Sequence, residues 1–215
     1  MSKANKSNKA IKYRLYPNDE QKVMFAKTFG CCRFVYNQLL ALQKQRYKDG
    51  ESHLSKLKSN EFATRTLKKD YDFLKEIDKF AVSNAVFHLA DAYDRFFKKQ
   101  NHFPKFKSKR KSKKSYTTNF TNNNILIGKN VIKLPKVGMV KAVIHKLPKD
   151  DWKLKSVTVS QDSVGNYFAS VLFEYEQEDI PSVSKSSTNA IGLDYKSDGL
   201  YMDSNGNKAG VHKYY

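Results

Sequence analysis

From Lys9 to Tyr16 apolar and polar side chains alternate, with Ile11, Tyr13 and Leu15 on one side, which predicts a strand. Pro17 ends it, and Asn18 followed by Gln21 three residues later offers a capping box for a helix. That helix is predicted to run to Phe29, with Gly30 as a break before a second helix through Tyr47, whose inner face carries Phe34, Val35, Leu39 and Leu42. Lys48-Asp49-Gly50 ends the second helix. A third is expected near Asn60 to Lys69. In a fourth, Val82, Val86, Leu89, Tyr93 and Phe96 form one apolar stripe. This order of helices suits a helix-turn-helix as well as any small helical bundle.

Beyond Phe97 the period shortens. Tyr116 to Phe120, Ile125 to Ile127, Val131 to Leu134 and Val137 to His145 read as short strands. Lys155 to Gln161 and Asn166 to Glu176, joined through Val164-Gly165, read as a hairpin with Tyr167, Ala169, Val171, Phe173 and Tyr175 on one face. Frequent Gly, Asn and Pro between the strands suggests a small β-barrel to which the N-terminal strand returns. The fold class is therefore α+β. The expected organisation is a first barrel strand (1–17), a helical lobe (18–100), a basic segment with the barrel (101–180), a Ser-rich linker (181–188) and a last segment (189–215). Within that last segment, Ile191 to Gly206 reads as strand, acid, tight turn, strand.

Charge adds a second layer. The chain of 215 residues carries a formal charge of +19, and from Arg95 to Lys149 sixteen Lys or Arg occur with no Asp or Glu. Composition bias scatters lysines, whereas an acid-free block of this length points to a polyanionic partner, because each neutralised phosphate releases counterions. No segment has the ~20 apolar residues of a membrane span, and Met1 to Lys12 lacks a signal-peptide core, so a cytoplasmic protein without a membrane partner is expected. Adjacent Cys31 and Cys32 suit neither a disulfide framework nor CxxC zinc spacing, so no zinc site is expected and both are read as small buried apolar residues.

The candidate binding residues are Lys105, Phe106, Lys107, Lys109, Arg110, Lys111, Lys113, Lys114 and Tyr116. Cations neutralise phosphates while rings offer stacking faces to unpaired bases. Phe103 belongs to the same stretch, and the alternative for all three rings is burial in the core. Asp194 ends an apolar strand and is the one candidate for metal chemistry, whereas Asp198 and Asp203 are read as turn residues. His88 falls near the inner face of the fourth helix and is expected to be a packed, hydrogen-bonded side chain.

The blocks Tyr13-Arg14-Leu15-Tyr16-Pro17 with Glu20-Gln21, Gly30 to Asn37, Phe103 to Ser108 with Ser115-Tyr116-Thr117, and Ile191-Gly192-Leu193-Asp194 resemble, in this order, the TnpB (OrfB) proteins of insertion sequences. The resemblance implies an RNA-guided DNA endonuclease involved in transposition and recombination, with guide RNA and target DNA as partners. It also implies a helix-turn-helix or recognition lobe inserted into a wedge-like barrel, followed by the first hairpin of an RNase H/RuvC-like fold.

Asp194 matches that family's first catalytic aspartate, a Mg²⁺ ligand, and Lys196 stands where many members have glycine. Two-metal hydrolysis needs several carboxylates around cations ~4 Å apart, and only nine residues follow Gly206. The expectation is a truncated copy that binds nucleic acid without cutting it alone. Its alternatives are a stand-alone RNA/DNA-binding repressor or guide-RNA competitor, and a nuclease completed in trans by a C-terminal fragment or partner subunit.

Overall fold

The computed structural model describes residues 5–177, 191–195 and 199–210. They fall into two compact units, Met1–Gln177 and Glu178–Tyr215. The expected linker, Lys196 and Asp198 lie outside the described residues.

In the first unit, strand β1 (Asn5–Tyr16) leads into helix α1 (Asp19–Lys48). The capping box forms as the sequence implies: Gln21 donates its backbone N–H to the Asn18 side chain at 2.9 Å and accepts the Asn18 N–H at 3.1 Å. Contrary to expectation, α1 does not break at Gly30. The stripe Phe25, Phe29, Cys32, Val35, Tyr36 and Leu39 is buried and keeps one phase through the glycine. Burial of that stripe outweighs the ~1 kcal/mol helix penalty of one glycine. The helix ends in a Schellman motif, with Glu51 N–H donating to Arg46 O at 2.8 Å and Gly50 at φ +72°.

Residues 56–70 then form one helical stretch: α2 (Lys56–Glu61), a π-helical turn (Phe62–Leu67) and α3 (Lys68–Asp70). Helix α4 (Lys79–Phe97) is capped by Asp78, which accepts the Ala81 N–H at 3.2 Å. Its predicted stripe Val82, Val86, Leu89 and Tyr93 is buried, while Phe96 is half-buried.

The remaining strands are β2 (Lys114–Asn119), β3 (Leu126–Ile127), β4 (Val131–Leu134), β5 (Gly138–Val143), β6 (Lys153–Gln161) and β7 (Tyr167–Gln177). With β1 they make an antiparallel sheet in the order β2-β6-β7-β1-β5-β4-β3. β1 does return to the later strands, between β7 and β5. Among the described residues β2 and β3 are unpaired edges, so the sheet is open where a closed barrel was expected. The helices cover one face, where Phe25 packs 5.4 Å from Tyr167 and 6.3 Å from Tyr116 between ring centroids. Asp78 also accepts the Thr118 hydroxyl at 2.7 Å, tying the start of α4 to β2.

The second unit is a sheet of β8 (Leu193–Asp194), β9 (Tyr201–Asp203) and β10 (Lys208–Ala209). Its β9–β10 turn, Asp203-Ser204-Asn205-Gly206-Asn207, repeats the chemistry of Asp162-Ser163-Val164-Gly165-Asn166 between β6 and β7. In each, the aspartate carboxylate accepts the N–H of the closing asparagine at 2.7 Å while the glycine takes positive φ.

Candidate nucleic-acid interface

Residues 98–113 connect α4 to β2 across the outside of α1. The segment leaves α4 through a second Schellman motif, in which Lys99 occupies the left-handed position at φ +57°. The first half is anchored. The Asn37 side chain accepts the Lys107 N–H at 2.8 Å and donates to the Lys107 carbonyl at 2.9 Å, so one amide clamps a backbone seventy residues away. The Lys44 ammonium sits 5.4 Å from the Phe103 ring centroid and 4.7 Å from that of Phe106. Pro104, between the two phenylalanines in sequence, is buried.

The second half stands free. Ser108 N–H donates to Ser112 Oγ at 2.9 Å, Lys111 N–H to Ser108 Oγ at 3.0 Å and Ser112 N–H to Ser108 O at 3.2 Å. This closes a turn that presents Lys109, Arg110 and Lys111 to solvent, with Lys105, Lys113 and Lys114 also exposed. Lys114 reaches Gln161 Oε1 at 3.1 Å, and none of these six cations forms an ion pair among the described residues.

Two predicted contact residues are placed differently. Tyr116 is 3 % exposed and packs on Phe25 and Phe29, because β2 alternates and Tyr116 shares its inward phase with Thr118, so its ring offers no stacking face. Burial pushes its hydroxyl pKa strongly upward. Lys107 is half-buried with its ammonium 4.0 Å over the Tyr36 ring, and desolvation lowers its pKa. Its charge braces the loop against α1. Phe106, 52 % exposed, keeps an open face.

His88, expected to be packed, is exposed, and partial desolvation and then the Lys107 charge lower its pKa. Cys31 and Cys32 are buried and free, and burial pushes the Cys32 thiol up to about 12. Asn37 closes the Gly30–Asn37 motif block, but its role as a clamp, like that of Lys44, was not legible because the partners are distant in sequence. Beside Phe103 lies a cavity of about 570 Å³ lined by Tyr47, Tyr93, Phe97 and Lys48.

In the second unit Asp194 is exposed and pairs with Met202 across β8–β9. The carboxylate of Asp203 accepts from Asn205 N at 2.9 Å and from Asn207 Nδ2 at 2.8 Å, and the Asn207 side-chain bond leads the causes that lower its pKa. No group of three or more His, Cys, Asp or Glu among the described residues has the geometry for a metal ion. Among the described residues Asp194 and Asp203 stand on neighbouring strands without a third ligand of this kind. No helix among the described residues is long and apolar enough to cross a membrane.

Residues 7–52, which fold as β1 and α1, match the family model for a helix-turn-helix domain of the OrfB IS605 type. The chain is 30 % identical over 202 residues to a "Putative RNA-guided DNA endonuclease" of Streptomyces pristinaespiralis, covering 93 % of this chain and 49 % of that protein. It is 29 % identical over 192 residues to the "Putative RNA-guided DNA endonuclease InsQ" of Escherichia coli K12, covering 86 % of this chain and 44 % of the relative. Over 111 residues it is 32 % identical to the "Virulence protein VsdF" of Salmonella dublin, covering 47 % of this chain and 93 % of that protein. The chain thus spans about half the length of the two endonuclease-named relatives. Two such relatives aligned along most of the sequence, and a domain match that takes in its first two motif blocks, place the chain in the TnpB (OrfB) family.

Proposed function

We propose that this chain is the nucleic-acid-binding part of a transposon-associated, RNA-guided DNA endonuclease, with guide RNA and target DNA as its polyanionic partners. The observation that carries this reading is the Ser108–Ser112 turn. It is closed by serine hydrogen bonds, follows directly on the Lys107 backbone that Asn37 clamps to α1, and holds Lys109, Arg110 and Lys111 outward in the middle of an acid-free block. Such a surface grips phosphates whatever the sequence. In this reading Lys105, Lys109, Arg110, Lys111, Lys113 and Lys114 contact the backbone and Phe106 stacks on an unpaired base. Lys107 and Tyr116 hold the segment in place. The three-stranded second unit is read as the opening of an RNase H/RuvC-like domain, with Asp194 as one carboxylate of its centre.

The test is binding of the purified chain to RNA transcribed from its own element and to duplex DNA over a salt series. With six to ten phosphate contacts, affinity falls by about 10³ to 10⁵ between 50 and 200 mM salt. No binding, or binding indifferent to salt, overturns the proposal.

A further inference from the structure

We infer that one phosphate oxyanion of the bound strand seats in a small cavity between α1, α4 and β2, held by Arg33, Lys107 and Lys113. This deepens the function proposed above and rests on it. The cavity is also lined by His88, Ser112 and Ser115, and no carboxylate lines it.

Arg33, Lys107 and Lys113 form no ion pair among the described residues, although Lys27, less than two turns before Arg33 on α1, pairs with Glu76 at 2.7 Å. Three cations line the cavity with no carboxylate among them, and a bound anion supplies the missing counter-charge. Lys107 is already partly desolvated, so the charge-assisted hydrogen bond it offers an oxyanion is stronger than that of a lysine in open water. Tyr116, which lines the same cavity, has a buried hydroxyl without a hydrogen-bond partner. A phosphate oxygen satisfies that donor.

Size selects the ligand. The cavity measures about 40 Å³, a few times the ~10–15 Å³ that a single water needs, so it admits phosphate oxygens and excludes a nucleobase. The cavity beside Phe103, at about 570 Å³, lacks this selectivity.

The test compares the full chain with an Arg33→Gln/Lys113→Gln double variant and with Tyr116→Phe. The probes are inorganic phosphate, replaced by chloride at constant ionic strength, and the salt dependence of RNA binding. The expected result is a saturable phosphate-induced rise in the wild-type melting temperature that is absent in the double variant and reduced in Tyr116→Phe. The salt slope of RNA binding should also fall by about one unit for each phosphate that the variant no longer neutralises. A phosphate-induced rise that persists in the double variant reflects exclusion of the ion from the whole surface and overturns the site. A rise abolished in the double variant with an unchanged RNA slope assigns the cavity to free phosphate and overturns its assignment to the strand. Absence of RNA binding by the wild-type chain defeats the proposed function instead, and the phosphate arm still decides whether the cavity holds an oxyanion.

Discussion

The two halves of the basic segment share a composition and differ in fate. In residues 103–107 the aromatic rings and Lys107 are held against α1 by the Asn37 clamp and by cation–π contacts. In residues 108–113 the hydrogen bonds among the described residues stay within the turn, and Lys109, Arg110 and Lys111 face water. Lys107, packed on Tyr36, fixes the geometry of the segment as well as lining the small cavity, whereas the solvated cations of the turn are free for a partner. Counting lysines does not distinguish the two.

The largest effect expected from this division is on binding. Replacing Lys109, Arg110 and Lys111 together by Gln lowers RNA or DNA affinity at 0.1 M salt by up to ~10³, since each phosphate contact contributes ~0.9 powers of salt. Unfolding free energy moves by no more than about 0.5 kcal/mol. A fluorescence titration paired with urea unfolding measures both, and a large stability loss with intact binding reverses the division.

Asn37→Ala is the complementary break. It strips two hydrogen bonds from the Lys107 backbone and should cost about 1–3 kcal/mol in urea unfolding. Affinity should follow, because the free turn loses its seat.

Gly30→Ala probes the rail itself. Apart from its chain neighbours and the helix's own backbone, no atom lies within 4 Å of the added methyl group, so continuous helix predicts a gain of about 1 kcal/mol. A loss of stability indicates a turn at Gly30.

Lys107→Met is a smaller change and depends on pH. Because burial holds the folded lysine below its ordinary value of 10.5, the unfolded chain binds more protons just below that pH, and stability rises as pH approaches it. The methionine variant should match or exceed the wild type at neutral pH, with the gap closing toward pH 10.5. Denaturation at several pH values gives the sign.

Asp194→Ala, in the other unit, should leave RNA affinity unchanged within twofold in the same titration. A larger loss extends the interface beyond the first unit.

Much of the fold was legible locally. The Ile11, Tyr13, Leu15 alternation, the Asn18/Gln21 box, the α4 stripe and the β6–β7 pair depend on residues a few positions apart, and each appears with the face the pattern assigns. The basic block was equally plain, because charge is additive along a chain. Less of the candidate site was legible. Phe106 and Tyr116 are aromatic residues of one motif, yet the first meets solvent and the second the core, since only Tyr116 lies on a strand whose inward phase faces α1.

The sequence by itself determined which segments are helix or strand and where positive charge gathers, because both follow from near neighbours. Tertiary structure alone decided that α1 runs through Gly30, that the sheet stays open, and that Lys107 is clamped while Lys109 is not. Those outcomes rest on contacts between distant residues, Asn37 with Lys107 and Phe25 with Tyr167, whose free energy exists only once the chain has brought them together.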